Sequence, residues 1–305
     1  MKAETISQSR EYLTVLLRRR SVIALCCGIL TLALAFYGII AGVGKSIARY
    51  HETGFHSFIY YTMISNVLAA LSIAITFPYA VEGIRKKRFT VPKWVALLHY
   101  VAATTITVTM AVASAFISWV SPEDAFGGSN IVTHVFCPLL ILLSFFQMEN
   151  GHLFSWKDRL IGVVPLCLYM IVYFVEVVVI GEANGGWPDI YRIMEFVSPA
   201  AALALSPLFA FAVSTVVALI SNALTKRRTA KMFRFWKEDL DPIEVRFEAY
   251  GMGCMAGRYG EKNNLDIPYD ILLFLADRYH LKTEDLLKPF VKGLLVGLKD
   301  RDQGL

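Results

Sequence analysis

The stretch SVIALCCGILTLALAFYGIIAGV (residues 21–43) decides the class of this protein. No charge interrupts it, and it exceeds the roughly 20 residues that a helix needs to cross a bilayer. It is also too long for the apolar part of a cleavable signal peptide and lacks a convincing cleavage site before further apolar runs follow. Those runs lie at about 57–80, 94–119, 131–148, 160–181 and 196–222, the fourth being the shortest. Lipid offers the backbone no hydrogen bonds, so repeated apolar runs of this length imply spanning helices. The expected fold is all-α: a six-transmembrane-helix bundle over 21–224, after an N-terminal cytoplasmic segment (1–20) and before a small cytoplasmic helical tail (225–305).

Composition agrees. Of 305 residues 56% are hydrophobic and 18% charged, where soluble domains carry about 45–50% and about 25%. The net charge of +5 is gathered at loops rather than along one face, so it reads as a topology signal and no nucleic-acid partner is expected. Arg18, Arg19 and Arg20 precede the first run; Arg85, Lys86, Lys87 and Arg88 join the second to the third; Lys157 and Arg159 precede the fifth; Lys226, Arg227 and Arg228 follow the sixth. The alternate loops hold only Lys45 and Arg49, none in SPEDAFGGSN (121–130), and Arg192. Basic residues stay inside, so both termini are expected on the cytoplasmic side of a cell membrane.

Four of the five cysteines, Cys26, Cys27, Cys137 and Cys167, fall in apolar runs, and with Cys254 they form no metal-type spacing. They read as small buried hydrophobes, with no disulfide framework or zinc site. No internal repeat or low-complexity segment is visible. From residue 225 the chain becomes charged with interspersed aromatics, suiting an anionic leaflet. Residues 265–298 then show helical periodicity, expected as two short helices separated near His280 to Thr283. No recognition helix precedes them, so the tail reads as an appendage for a cytoplasmic protein partner rather than a DNA reader.

Orientation converts sequence position into depth. The second run carries YYTMISNVLAAL (60–71), in which Thr62, Ser65 and Asn66 stand at i, i+3 and i+4 on one helical face. His134 in the fourth run and Thr62 in the second both fall roughly 5–8 Å inside the outer boundary at 1.5 Å per residue. Tyr173 and Glu176 reach the same layer from the fifth run. Each has a plain structural alternative: a hydroxyl bonded back to its own helix, an interhelical amide contact, or a carboxylate reaching the headgroups. An imidazole at membrane depth is costly and marks function by default.

Together they suit ester chemistry. Neutral imidazole is the usual base for a hydroxyl nucleophile near neutral pH. Thr62 and His134 are thus the candidate catalytic pair, with Ser65, Asn66, Tyr173 and Glu176 as candidate substrate-binding or orienting groups. Glu176 or Asn66 is expected to orient the imidazole, or Asn66 to donate to the developing oxyanion, which an anionic Glu176 could not do, and no cofactor is expected. A lipid ester would enter sideways from the bilayer.

At these residues the sequence resembles the androgen-induced-protein family of multi-pass membrane hydrolases and its bacterial relatives. The likeness rests on YYTMISNVLAAL, on HVFCPLLILLSFF (134–146) and on six runs with this orientation, and covers about residues 20–222. It implies an intramembrane threonine hydrolase acting on fatty acid esters of hydroxy fatty acids or similar lipid esters, with Thr62 as nucleophile and His134 as base. The tail has no counterpart in that core.

Other classes make different demands. A non-enzymatic transporter or lipid-binding sensor with a cytoplasmic output tail would use the same layer for binding and would tolerate Thr62→Val in part, which a nucleophile cannot. A haem clamp is excluded, because His99 and His134 fall on opposite sides of the bilayer. A metal held by His56, His134 and Glu176 is geometrically possible, but it would deprive Thr62 of its base.

Overall fold

The computed structural model describes residues 2–50, 54–86, 91–148, 153–235, 246, 249–253 and 281–302, and every regular element among them is helical. The chain divides into two units, Met1–Arg227 and Arg228–Leu305. The expected helix before His280 lies outside the described residues.

In the first unit α1 is Lys2–Tyr50, followed by a 3-10 helix at Gly54–Ile59. α2 (Tyr61–Lys86) and α3 (Lys93–Val112) come next, α3 running on through a π-turn at Ala113–Ile117. A short α4 (Pro122–Phe126) precedes a π-turn at Val132–Phe136 and α5 (Cys137–Gln147). α6 (Trp156–Phe174) ends in a third π-turn, Val175–Ile180; α7 (Ile193–Phe196) and α8 (Pro199–Phe235) follow.

Five of these helical stretches are long and apolar enough to cross a membrane: Arg18–Ala48, Tyr61–Arg85, Lys93–Val120, Trp156–Ile180 and Pro199–Thr225. The fourth expected run is shorter: Val132–Gln147 comprises five residues of π-turn and eleven of α-helix, less than the roughly 20 a full crossing takes. The outer faces of the long helices carry exposed Ile40, Leu168 and Leu208. Trp94, Trp119 and Trp156 stand exposed at helix ends, the usual place of interfacial aromatics.

Small residues let the helices approach. Ala35, Ala69 and Ala102 are fully buried in one core with Ile106 and Ile141, joining α1, α2, α3 and α5. Ser144 donates to the Ala24 carbonyl at 3.2 Å, and Arg20 to the Gln147 carbonyl at 3.1 Å, fastening α5 to α1. α6 starts with a capping box, in which Ser155 N–H and Oγ both donate to Asp158 at 2.7 Å.

α8 packs on α3 and α6 through the buried Ala202 and Ala210 and is hydrogen-bonded to them farther along. There Tyr100 donates to the Ser214 carbonyl at 2.7 Å, Ser214 to the Arg159 carbonyl at 2.8 Å, and Asn222 holds both backbone groups of Phe154. Toward the other end, beside Thr62, the three helices also line a cavity.

The second unit contains a 20-residue helix, Thr283–Asp302, longer than the short helix expected there. Leu286 and Phe290 are buried on it, and Gly253 lies so close to the Phe290 carbonyl that a Cβ would collide.

Candidate active site

Thr62 is the second residue of α2, not a residue well inside it. The 3-10 helix at Gly54–Ile59 takes up the residues expected to begin the span. The first amides of a helix have no acceptor within it, so Thr62 sits at the positive end of the helix dipole, where the amides of Met63 and Ile64 turn back to the Tyr60 carbonyl at 3.0 and 3.4 Å.

The Thr62 hydroxyl oxygen is 3.1 Å from Nε2 of His134. The other ring nitrogen, Nδ1, is 2.7 Å from the Ala125 carbonyl oxygen. A carbonyl only accepts, so Nδ1 carries the proton and Nε2 of the neutral ring is an acceptor. Thr62 therefore donates to His134. This is a hydroxyl hydrogen-bonded to a base whose orientation and tautomer are set by a third group.

Local chemistry explains the aim of the imidazole. Pro138 has no N–H, so the His134 carbonyl loses its partner four residues on. The ladder widens there, the Cys137 amide bonding to the Val132 carbonyl five residues back. His134 lies inside that π-turn, buried at 6% exposure. Ala125 is held by α4, where Ser121 caps the Asp124 amide at 3.4 Å and Asn130 donates to the Asp124 carbonyl at 2.7 Å.

The other expected residues take different places. Ser65 and Asn66 are fully buried and donate to the Thr62 carbonyl at 2.9 and 2.8 Å. They steady the first turn of α2 and do not hydrogen-bond His134, so the orienting role expected for Asn66 passes to a main-chain carbonyl. Glu176 is half-buried in its own π-turn and lines no part of the cavity; its main-chain carbonyl accepts from Gly181 at 3.0 Å. Tyr173 is fully buried, and its hydroxyl donates to Asp189. Asp189 in turn accepts from the amides of Ile193 and Met194 at 3.1 and 2.8 Å. Tyr173 thus anchors the loop before α7 rather than touching Thr62.

That loop carries Tyr191, which sequence reasoning missed. The Tyr61 amide donates to the Tyr191 hydroxyl oxygen at 2.8 Å, and Thr62 is a close neighbour of the same phenol. Burial pushes the Tyr191 phenol up to about 12, against the opposing pull of this bond. The next residue, Arg192, has φ 54°, the one positive φ outside glycine among the described residues. Such a conformation costs a residue with a side chain on the order of 1–3 kcal/mol. Here it is held by Asp189 below and by a two-pronged Arg192–Glu195 pair at 2.7 Å. That pair keeps the exposed Glu195 carboxyl below its ordinary range.

Beside Thr62 lies a cavity of about 310 Å³, bounded by α2, α3, α6, α8 and the loop through α7. Its wall is apolar, from Val108 and Val112 to Leu166, Met170 and Leu205. Two lining hydroxyls are spent elsewhere: Thr109 donates to Ser65 at 2.9 Å and Ser206 to the Ala202 carbonyl at 2.7 Å. Phe196, Leu205 and Phe209 line the cavity and are also 56%, 54% and 40% exposed, so it opens through the side of the bundle. Thr62 lines the cavity, and His134, which does not, backs it.

Among the described residues no three His, Cys, Asp or Glu side chains group to hold a metal ion. Both ring nitrogens of His134 are already engaged, which removes it from the expected His56, His134 and Glu176 alternative. Compared with known proteins, the chain matches no family model, no curated protein and no solved structure.

Proposed function

We propose that this chain is an intramembrane threonine hydrolase that cleaves lipid esters. One observation carries the proposal: a threonine facing an apolar, side-opening cavity donates to an imidazole whose far nitrogen is bonded to a carbonyl.

The chemistry follows from that arrangement. As Thr62 Oγ attacks the ester carbonyl carbon, its proton passes to His134 Nε2 and the carbonyl electron pair moves onto oxygen. Collapse of the tetrahedral intermediate breaks the bond to the alcohol oxygen, which leaves with the proton from His134. A water then attacks the acyl-Thr62 ester with His134 again as base, releasing a carboxylic acid and restoring the threonine. The Ala125 carbonyl holds the tautomer and stabilises the imidazolium formed at each step. The cavity is at the lower end of the roughly 300–1,000 Å³ of small-molecule sites, and an acyl chain matches its wall.

The membrane arrangement belongs to the same proposal. Val132–Gln147 serves as a sixth, short membrane segment, and the basic clusters set both termini on the cytoplasmic side. The resemblance to the androgen-induced-protein hydrolases rests on the same Thr62 and His134 and names the substrate class, fatty acid esters of hydroxy fatty acids or their kin.

Labelling of purified protein by an alkyl fluorophosphonate probe tests this. Wild type is expected to react, and folded Thr62→Ala and His134→Ala to stay unlabelled. Labelling that survives Thr62→Ala sinks the assignment. A second reading has the cavity in its favour: a lipid-binding sensor would show ligand-induced thermal stabilisation that Thr62→Val leaves intact.

A further inference from the structure

We propose that Tyr191 is a third catalytic residue, the donor that holds the oxyanion formed when Thr62 attacks; this rests on the Thr62–His134 reading. An ester carbonyl under attack becomes an alkoxide, and an aligned donor in a water-poor site is worth about 10²–10³ in rate. At the start of α2 the obvious donors are backbone amides, yet the Tyr61 amide is already given to the Tyr191 hydroxyl oxygen at 2.8 Å. The phenol therefore stands between the helix N-terminus and the cavity, both of which it touches.

The proton of Tyr191 is the one left for the substrate. Thr62 gives its own proton to His134, and Tyr169 gives its own to the Ile59 carbonyl at 2.7 Å. Both neighbours can only accept from Tyr191. The Tyr61 amide donating into the phenol oxygen polarises its O–H, strengthening it as a donor. Burial keeps that proton in place through neutral and moderately alkaline pH. No proton is transferred in this role: the O–H donates to the developing oxyanion, while the Thr62 proton still goes to His134. The loop is built for it, with Tyr173, Asp189 and a left-handed Arg192 fixing the residue on either side.

The test compares wild type, Tyr191→Phe and Thr62→Ala on p-nitrophenyl octanoate, and measures binding of an octyl trifluoromethyl ketone, which forms an oxyanion on Thr62, against octanoate, which does not. Tyr191→Phe is expected to lower kcat about 10²–10³-fold with KM nearly unchanged. It should weaken the ketone by a similar factor and leave octanoate binding as in wild type. A purely structural tyrosine would weaken all three together. Tyr191→Phe with near-wild-type kcat and ketone affinity overturns the role while Thr62→Ala remains dead; a folded wild type inert to ester and ketone overturns both readings. If Tyr191→Phe does not fold, replacing Tyr191 with 3-fluorotyrosine keeps the hydroxyl and makes it more acidic. A raised kcat at unchanged melting temperature supports the role, and an unchanged kcat ends it.

Discussion

Helix α2 carries two threonine–histidine contacts, and they differ in every respect that matters for chemistry. Near its start Thr62 gives its proton to His134 at 3.1 Å; fourteen residues on, Thr76 lies 3.5 Å from Nδ1 of His99. Thr76 already donates to the Ile73 carbonyl at 3.2 Å, so its hydroxyl is held by its own helix. His99 is fully buried and stacked on Phe145 at 5.6 Å between ring centres, and neither residue of this pair lines the cavity. Proximity of a hydroxyl to an imidazole is therefore not a site. A site needs a hydroxyl with its proton free for the base, a tautomer fixed from behind, and room for a substrate in front.

The sharpest break of this comparison is a matched pair of isosteric changes. Thr62→Val should lower ester hydrolysis on the order of 10³-fold or more and abolish probe labelling; Thr76→Val should leave both at wild-type level. Equal loss in the two variants, with both folded, would end the distinction between the contacts.

A smaller effect is expected at Gly38 of α1, where a Cβ would collide with the Thr133 side chain next to His134. Gly38→Ala should push the π-turn and cost about 10²-fold in hydrolysis by misplacing the base. Thermal unfolding with and without bound trifluoromethyl ketone separates this from simple loss of fold. Next comes Tyr173→Phe, which removes the bond to Asp189 that steadies the Tyr191 loop. Loss of a hydrogen bond to a charged group is worth about 1.5–3 kcal/mol, so hydrolysis should fall roughly tenfold or somewhat more, with amide exchange faster at Ile193 and Met194. Smallest of all is His99→Leu, which should leave labelling intact and move the melting temperature little, since the Thr76 proton already has its acceptor.

The membrane class and the candidate pair were legible in the sequence, and the rest of the site was not. Apolar runs without charge are a local property, so the five long helices could be read directly, with edges misjudged by a few residues. That small error mattered at Thr62: a start at Tyr61 turns an interior helix residue into one at a helix N-terminus. Ser65 and Asn66 share the Thr62 face as the spacing predicts, but what they do there is bond back to the Thr62 carbonyl. The orienting group is a backbone carbonyl of Ala125, which no side-chain pattern announces. Tyr191 lies in a loop without periodicity, 130 residues from the Tyr61 amide that it accepts from.

By itself the sequence determined that this chain is a helical membrane protein with a threonine and a histidine near the ends of two helices, because lipid selects for composition and length alone. Only the tertiary structure showed that Thr62 both meets the imidazole and faces a cavity, while Thr76 beside His99 does not. The physical reason is that hydrogen-bond direction, tautomer and empty space depend on distances of a few ångströms between helices, and those follow from how small residues pack, where Pro138 widens a turn and where α3 and α8 leave room for a cavity.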